Sequence, residues 1–290
     1  MSFMGVQDNS PINPSPSTAP STSNPPDLPS PPFITTIHGV ANLRTIGGQY
    51  PTSNGKKIYI SKHIYRSAEP SKLDKDSYEE FTDKLGIKTI FDLRSRGELV
   101  NHLLPPILGL DNRHTPVYEN KDVSPAELAK TVSQYGDSEG VDGFVNSYNR
   151  IMDAGVNAYR AFFRHLLDNP RQGTLIHCTA GKDRTGVAIA LVFKLVDVTD
   201  EAVADEYALT NLGLKEWKEG IVKLLLKAPE LSADEAKIRR MLSSRKEVMV
   251  AWLNVLEERY GGAERYLKDS LGFSGEEVQK IKQSIVAEDR

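Results

Sequence analysis

Residues 174–197 constrain the architecture of this 290-residue chain more than any other stretch. Thr174–His177 reads as a short buried strand, 185–197 as an apolar helix, and 178–184 as the loop that joins them. A strand passing through a tight loop into an apolar helix is a building unit of α/β sheets with helices packed on them. The apolar run Val187–Val198 is too short to span a bilayer, and it contains Lys194 and Asp197. Cys178, at the start of the loop, is the only cysteine, which excludes an intrachain disulfide framework and a multi-cysteine zinc site.

The rest of the chain fits that unit. Strand-like content recurs at Phe33–Ile37, Lys57–Ile60, Ile64–Arg66, Ile87–Leu93 and His114–Tyr118, and Asp76–Leu85 reads as a helix ended by Gly86. Apolar residues from Phe144 to Leu167 recur at helical spacing and predict one helix. Beyond the loop, helices are expected near 200–211, 213–228, 232–242, 245–260, 262–270 and 274–287, the last opening with a Ser274-x-x-Glu277 capping box. The expected fold is α/β: a central sheet flanked by helices, a helical lid over about 119–150, and a helical C-terminal part. Residues 1–32 differ in kind. They hold nine of the 17 prolines and only two charged residues, Asp8 and Asp27. This predicts a disordered Pro/Ser-rich tail before a domain at 33–290, with docking through the tail as the alternative reading.

Charge narrows the partners. With 36 basic and 39 acidic residues, the chain offers no electrostatic case for nucleic acid or a membrane surface. Met1–Asn9 lacks a basic start followed by an apolar core, so a cytoplasmic location is expected.

The chemistry is concentrated in His177-Cys-Thr-Ala-Gly-Lys-Asp-Arg-Thr-Gly186. A loop closing onto a helix N-terminus turns several N–H groups inward, and the helix dipole adds positive potential, so it suits a tetrahedral oxyanion. The backbone of Thr179, Ala180, Gly181, Lys182, Asp183 and Arg184 is thus expected to line a phosphate site. Cys178 and Arg184 stand in Cys-x5-Arg spacing. The same N–H groups stabilise a Cys178 thiolate, and the planar Arg184 guanidinium can hold two phosphate oxygens. Attack of the thiolate on a phosphate monoester, giving a phosphocysteine that water hydrolyses, follows from this arrangement, and it calls for no cofactor or metal. A nucleotide-binding P-loop fits poorly: Ile176 stands where a glycine is required, and Asp183 where Ser or Thr would bind magnesium.

The segment resembles the protein-tyrosine phosphatase superfamily signature His-Cys-x5-Arg-Ser/Thr-Gly, and more narrowly a bacterial and fungal tyrosine- and lipid-phosphatase group with Lys and Asp before the arginine. Asn42-Leu-Arg-Thr-Ile-Gly-Gly48, Ile64–Ser67, Phe91–Ser95 and Glu206–Asn211 resemble further blocks of that family. Thr45, Ala68 and Glu206 depart from its usual Asp, Gly and Asp. The resemblance implies phosphotyrosyl proteins or phosphoinositides as substrates. An inactive phosphate-binding module is the rival, but such a module would be expected to lack Cys178 or Arg184.

Remaining roles have two readings each. Thr185 either hydrogen-bonds the thiolate or caps the helix, and His177 either orients the loop or is a satisfied core histidine. Lys182 either adds charge at the pocket mouth for a second phosphate or an inositol ring, or is a solvated lysine. Three carboxyls could be the general acid: Asp183 in the loop, Asp92 at a strand end, and Asp122 in the expected lid.

Overall fold

The computed structural model describes residues 33–34, 37–100, 102–120, 125–136, 140–227 and 234–287. The expected tail at 1–32 lies outside them. The central sheet has five strands: β1 (Arg44–Thr45), β4 (Ile64–Ser67), β7 (Gly173–His177), β5 (Ile87–Asp92) and β6 (Asp111–His114), in that spatial order. Only β1 runs antiparallel to its neighbour, and β2 (Gly48–Pro51) with β3 (Lys57–Ile60) forms a separate antiparallel pair.

Strand periodicity sorts the two cores. Ile64, Phe91 and Ile176 face the larger one, whereas Tyr65, Ile90 and Leu175 face a smaller one with Leu43, Leu73 and Phe81. Such burial on both faces is what a parallel sheet requires. Helices α1 (Arg96–Leu99), α2 (Pro125–Gly136), α3 (Asp142–Ala154), α4 (Val156–Asp168) and α5 (Asp183–Leu195) accompany the sheet. From Arg184 to Phe193 every residue of α5 is buried, which makes it the axis of the larger core. Around it lie α6 (Asp200–Ala208), α7 (Thr210–Gly213), α8 (Lys215–Leu225), α9 (Glu235–Met241), α10 (Lys246–Tyr260), α11 (Gly262–Asp269) and α12 (Gly275–Ile285). The capping box of α12 forms: Ser274 N–H donates to Glu277 Oε2 at 2.8 Å, and Glu277 N–H to Ser274 Oγ at 3.2 Å.

Several expectations are corrected. Of the strand expected at Phe33–Ile37, residues 35–36 lie outside the described residues, and Phe33 makes an isolated bridge to Arg44. The helix expected at Asp76–Leu85 is a tight turn at Lys75–Ser77 followed by a widened one at Glu80–Lys84, where Leu85 N–H reaches back to Glu80 O. The strand expected at His114–Tyr118 lies earlier, at Asp111–His114, because this exposed sheet edge is polar and carries no apolar signal. The single helix expected over 144–167 is two helices, broken at Gly155. Of the region expected as a lid, α3 is a core helix, with Phe144, Tyr148 and Ile151 buried, while α2 places Thr131 and Tyr135 over the loop cavity. Among the described residues no helix is long and apolar enough to cross a membrane.

Candidate active site

Strand β7 delivers Cys178 to the carboxyl edge of the parallel strands, where open α/β sheets present their crevice. Gly181 adopts φ +62°, and a Cβ there would lie 2.0 Å from Ser67 O, so the turn into α5 accepts glycine alone. The loop carbonyls are gripped by the scaffold. Glu69 N–H donates to Thr179 O at 3.1 Å, and Gly186 N–H to Lys182 O at 2.8 Å. Asn42 Nδ2 donates to Ala180 O and Gly181 O at 3.3 and 3.4 Å, and Arg66 Nη2 to Gly181 O at 2.7 Å. In a trans peptide the N–H points opposite to the C=O, and the described residues contain no cis bond. The N–H groups of Ala180, Gly181, Lys182 and Asp183 are therefore turned away from the scaffold, toward the concave side of the loop.

A buried ionic brace holds that scaffold. Arg44 Nε meets Glu206 Oε1 at 2.7 Å, and Arg66 Nη1 meets Glu206 Oε2 at 2.6 Å. Arg44 also donates to Thr210 Oγ1 at 3.1 Å and to Asn42 Oδ1. The residue that departs from the family's usual Asp thus reaches both arginines at once.

Cys178, 3% exposed, lines a cavity of about 200 Å³. Its polar walls include Arg184, Asp183 and Glu98; its apolar walls are Tyr135, Leu214, Trp217, Met241 and Leu242. Glu98 holds Arg184 by two parallel contacts of 2.7 Å, and Arg184 Nη1 also reaches Leu93 O at 3.3 Å. Burial alone would raise the Glu98 carboxyl, but the charge and hydrogen bonds of Arg184, with a further bond from Thr179, hold it well below the usual range. Glu98 is the site residue that sequence reading missed. Its one local sign was the capping box Ser95-x-x-Glu98, in which Ser95 N–H donates to Glu98 Oε2 at 2.9 Å.

Asp183 lines this cavity and a neighbouring one of about 450 Å³, which also takes in Tyr118, Gln134 and Arg150. Its Oδ1 accepts from Tyr148 OH at 2.8 Å and lies 3.4 Å from Lys182 Nζ. Asp92 is elsewhere. It is 3% exposed, clasped by Arg94 through Nε at 2.9 Å and Nη2 at 2.7 Å, and lines neither cavity. Burial would favour its neutral form, but His177 and Arg94 together lower it. The structure thus pairs Asp92 with Arg94 and does not bring it to the cavity of Cys178, where an acid would act. Asp122 lies outside the described residues.

His177 donates from Nδ1 to Cys178 O at 3.2 Å and holds Nε2 3.7 Å from Asp92 Oδ2, and burial lowers its ring below the ordinary histidine value. Thr185 is fully buried and its Oγ1 finds no partner among the described residues, so the expected bond to Cys178 is not formed. Lys182 is not at a pocket mouth. It is 4% exposed and donates to Met241 O at 2.5 Å and Ser243 O at 3.1 Å, with its ammonium 5.0 Å from the Phe144 ring centre.

With this geometry in place, the comparison with known proteins is specific. The model of the tyrosine phosphatase family matches residues 35–287. The chain belongs to that family. The tyrosine-protein phosphatase of Nostoc commune is 28% identical over 226 residues, covering 75% of this chain and 72% of that protein. The triple specificity protein phosphatase PtpB of Mycobacterium tuberculosis is 28% identical over 256 residues, covering 76% and 89%. Among solved structures, the core catalytic domain of the PP-IP phosphatase SIW14 from S. cerevisiae aligns with a TM-score of 0.31 at 18% identity, covering 63% of this chain and 98% of that one.

Proposed function

We propose that residues 33–290 form a cysteine-dependent phosphatase that hydrolyses phosphotyrosyl monoesters through a phosphocysteine intermediate. The observation that carries this reading is the cavity at Cys178: a thiol at its base, Arg184 and Asp183 on its walls, and an apolar rim of Tyr135, Trp217 and Met241. The phosphoryl group would sit against the inward N–H groups and the Arg184 guanidinium, whose plane Glu98 fixes in advance. The Cys178 thiolate attacks phosphorus; the S–P bond forms as the P–O bond breaks, and the proton of the Asp183 carboxyl passes to the departing phenolate oxygen. Water then attacks phosphorus and gives a proton to Asp183. The S–P electron pair returns to sulfur, releasing phosphate and restoring the starting state. A free thiol as sole cysteine suits a reducing compartment such as the cytoplasm.

The aromatic rim favours an aryl leaving group. Lys182 does not favour an inositol ring, since its ammonium is bound to two backbone carbonyls. The naming of the mycobacterial relative as triple specificity makes the range of substrates worth measuring directly. Phosphate release is to be compared, without added metal, from a phosphotyrosine peptide, a phosphoserine peptide and a phosphoinositide panel. The expected ranking puts phosphotyrosine first, with every signal lost in Cys178→Ser. Turnover that survives in Cys178→Ser, or none by folded wild-type protein, overturns the reading.

A further inference from the structure

Two buried tyrosines lie beside the catalytic loop. Tyr148 of α3 donates its hydroxyl to Asp183 Oδ1 at 2.8 Å, and the Tyr207 hydroxyl of α6 lies 2.6 Å from that of Tyr148. Each phenol has one proton. With the Tyr148 proton on Asp183, the Tyr207 proton must lie on Tyr148, so both O–H dipoles point at the carboxyl. The pair is built in rigidly. Tyr148 is fully buried and Tyr207 is 1% exposed, and the Tyr148 ring packs edge-on against Tyr207 and Trp252 at 6.4 and 6.1 Å. Gly186 makes room for it, since a Cβ there would lie 3.2 Å from the Tyr207 ring.

We infer that Tyr148 and Tyr207 are positioning residues for Asp183: they fix its Oδ1 and leave Oδ2 to carry the exchanging proton. The inference rests on the acid role of Asp183 proposed above. Burial first, and then the charge of Asp183, push both phenols above the ordinary tyrosine value, so they stay protonated while Asp183 cycles. Other groups face the same carboxyl. Lys182 lies 3.4 Å away, and Arg184 follows it on α5. Tyr118, Tyr135 of α2 and Lys218 of α8 sense its charge, and Arg150 and Glu119 share its larger cavity.

The test uses leaving groups. Nitrophenolate departs with little help from an acid, whereas the phenolate of tyrosine needs one. Tyr148→Phe is expected to lose about tenfold in kcat/KM on a phosphotyrosine peptide and less than about threefold on 4-nitrophenyl phosphate. Tyr207→Phe follows in the same direction with a smaller effect, and Tyr148→Phe adds nothing in an Asp183→Asn background. Equal losses on both substrates, or a loss that persists in the Asp183→Asn background, overturn the inference. If Asp183→Asn alone costs no more on phosphotyrosine than on the nitrophenyl ester, the acid assignment itself is what fails.

Discussion

Glu206 and Glu98 each neutralise buried arginine through contacts of 2.6–2.7 Å, yet they sit on opposite sides of the same loop and serve different ends. Glu206 lies behind it. Arg44 and Arg66 are 0% exposed and their donors face protein, Arg66 holding Gly181 O and Arg44 holding Thr210 and Asn42. Glu98 lies in front. Its partner Arg184 is 9% exposed and borders both cavities. A buried ion pair is weak evidence of stability in itself, because desolvation offsets most of the attraction. What separates the two is where the guanidinium can still be reached. The rear pair shapes the loop, and the front pair presents a charge to whatever enters it.

The largest expected effect breaks the rear brace. Glu206→Gln leaves two buried arginines without a counter-charge and should cost about 3–5 kcal/mol in urea unfolding at neutral pH. The dependence on pH sharpens the point. Burial would raise the Glu206 carboxyl, but Arg44 and Arg66 outweigh that and lower it. A carboxyl depressed in the folded state contributes stability that is complete above its unfolded value, about 4.3, and is lost as pH falls through its folded value. The wild type should therefore weaken progressively below about pH 4.3, while the Gln variant, already weakened, declines less, so that the two curves converge. Curves that run parallel on acidification would separate the brace from Glu206 ionisation.

The next effect tests the front. Arg184→Lys keeps the charge opposite Glu98 but loses the planar pair of donors, and should lower kcat/KM on phosphotyrosine by about 10²–10³ while the protein stays folded. Arg66→Lys should do the reverse, moving stability more than turnover, because its guanidinium bridges Glu206 and Gly181 O. If the two arginines exchange these signatures, the division between shaping and presenting is wrong.

What could be read in the sequence follows the range of the interactions. The loop, its flanking strand and α5 are contiguous, so Cys178 and Arg184 were legible from spacing alone, and the cavity brings both together. Glu98 reaches Arg184 across 86 positions, and no periodicity carries such a signal. Tyr148 satisfied the helical apolar pattern and so read as core, which it is; its hydroxyl contact with Asp183 depends on how α3 packs against α5. Asp183 read as the first candidate for the acid and Asp92 as the second, and no letter pattern shows that Arg94 clasps Asp92 away from both cavities. Lys182 misled for the same reason: a loop lysine reads as solvated or substrate-facing until the carbonyls ending α9 are placed above it.

That lysine supplies the smallest and most discriminating effect. Lys182 lines the Cys178 cavity, yet its ammonium donates to Met241 O and Ser243 O and lies 5.0 Å from the Phe144 ring centre. Those contacts tie the loop to the end of α9, the element that brings Met241 to the apolar rim. In Lys182→Met the stem is replaced in kind and the two carbonyls lose their donor, so stability should fall by about 1–3 kcal/mol. Turnover of phosphotyrosine should fall by less than about tenfold, equivalent to ~1.4 kcal/mol in the barrier. A larger drop in kcat/KM with an unchanged unfolding midpoint would mean that the ammonium leaves its carbonyls when substrate arrives. Lys182 would then belong with Arg184, as a charge presented to the substrate, and not with Arg44 and Arg66, whose charges are used within the fold.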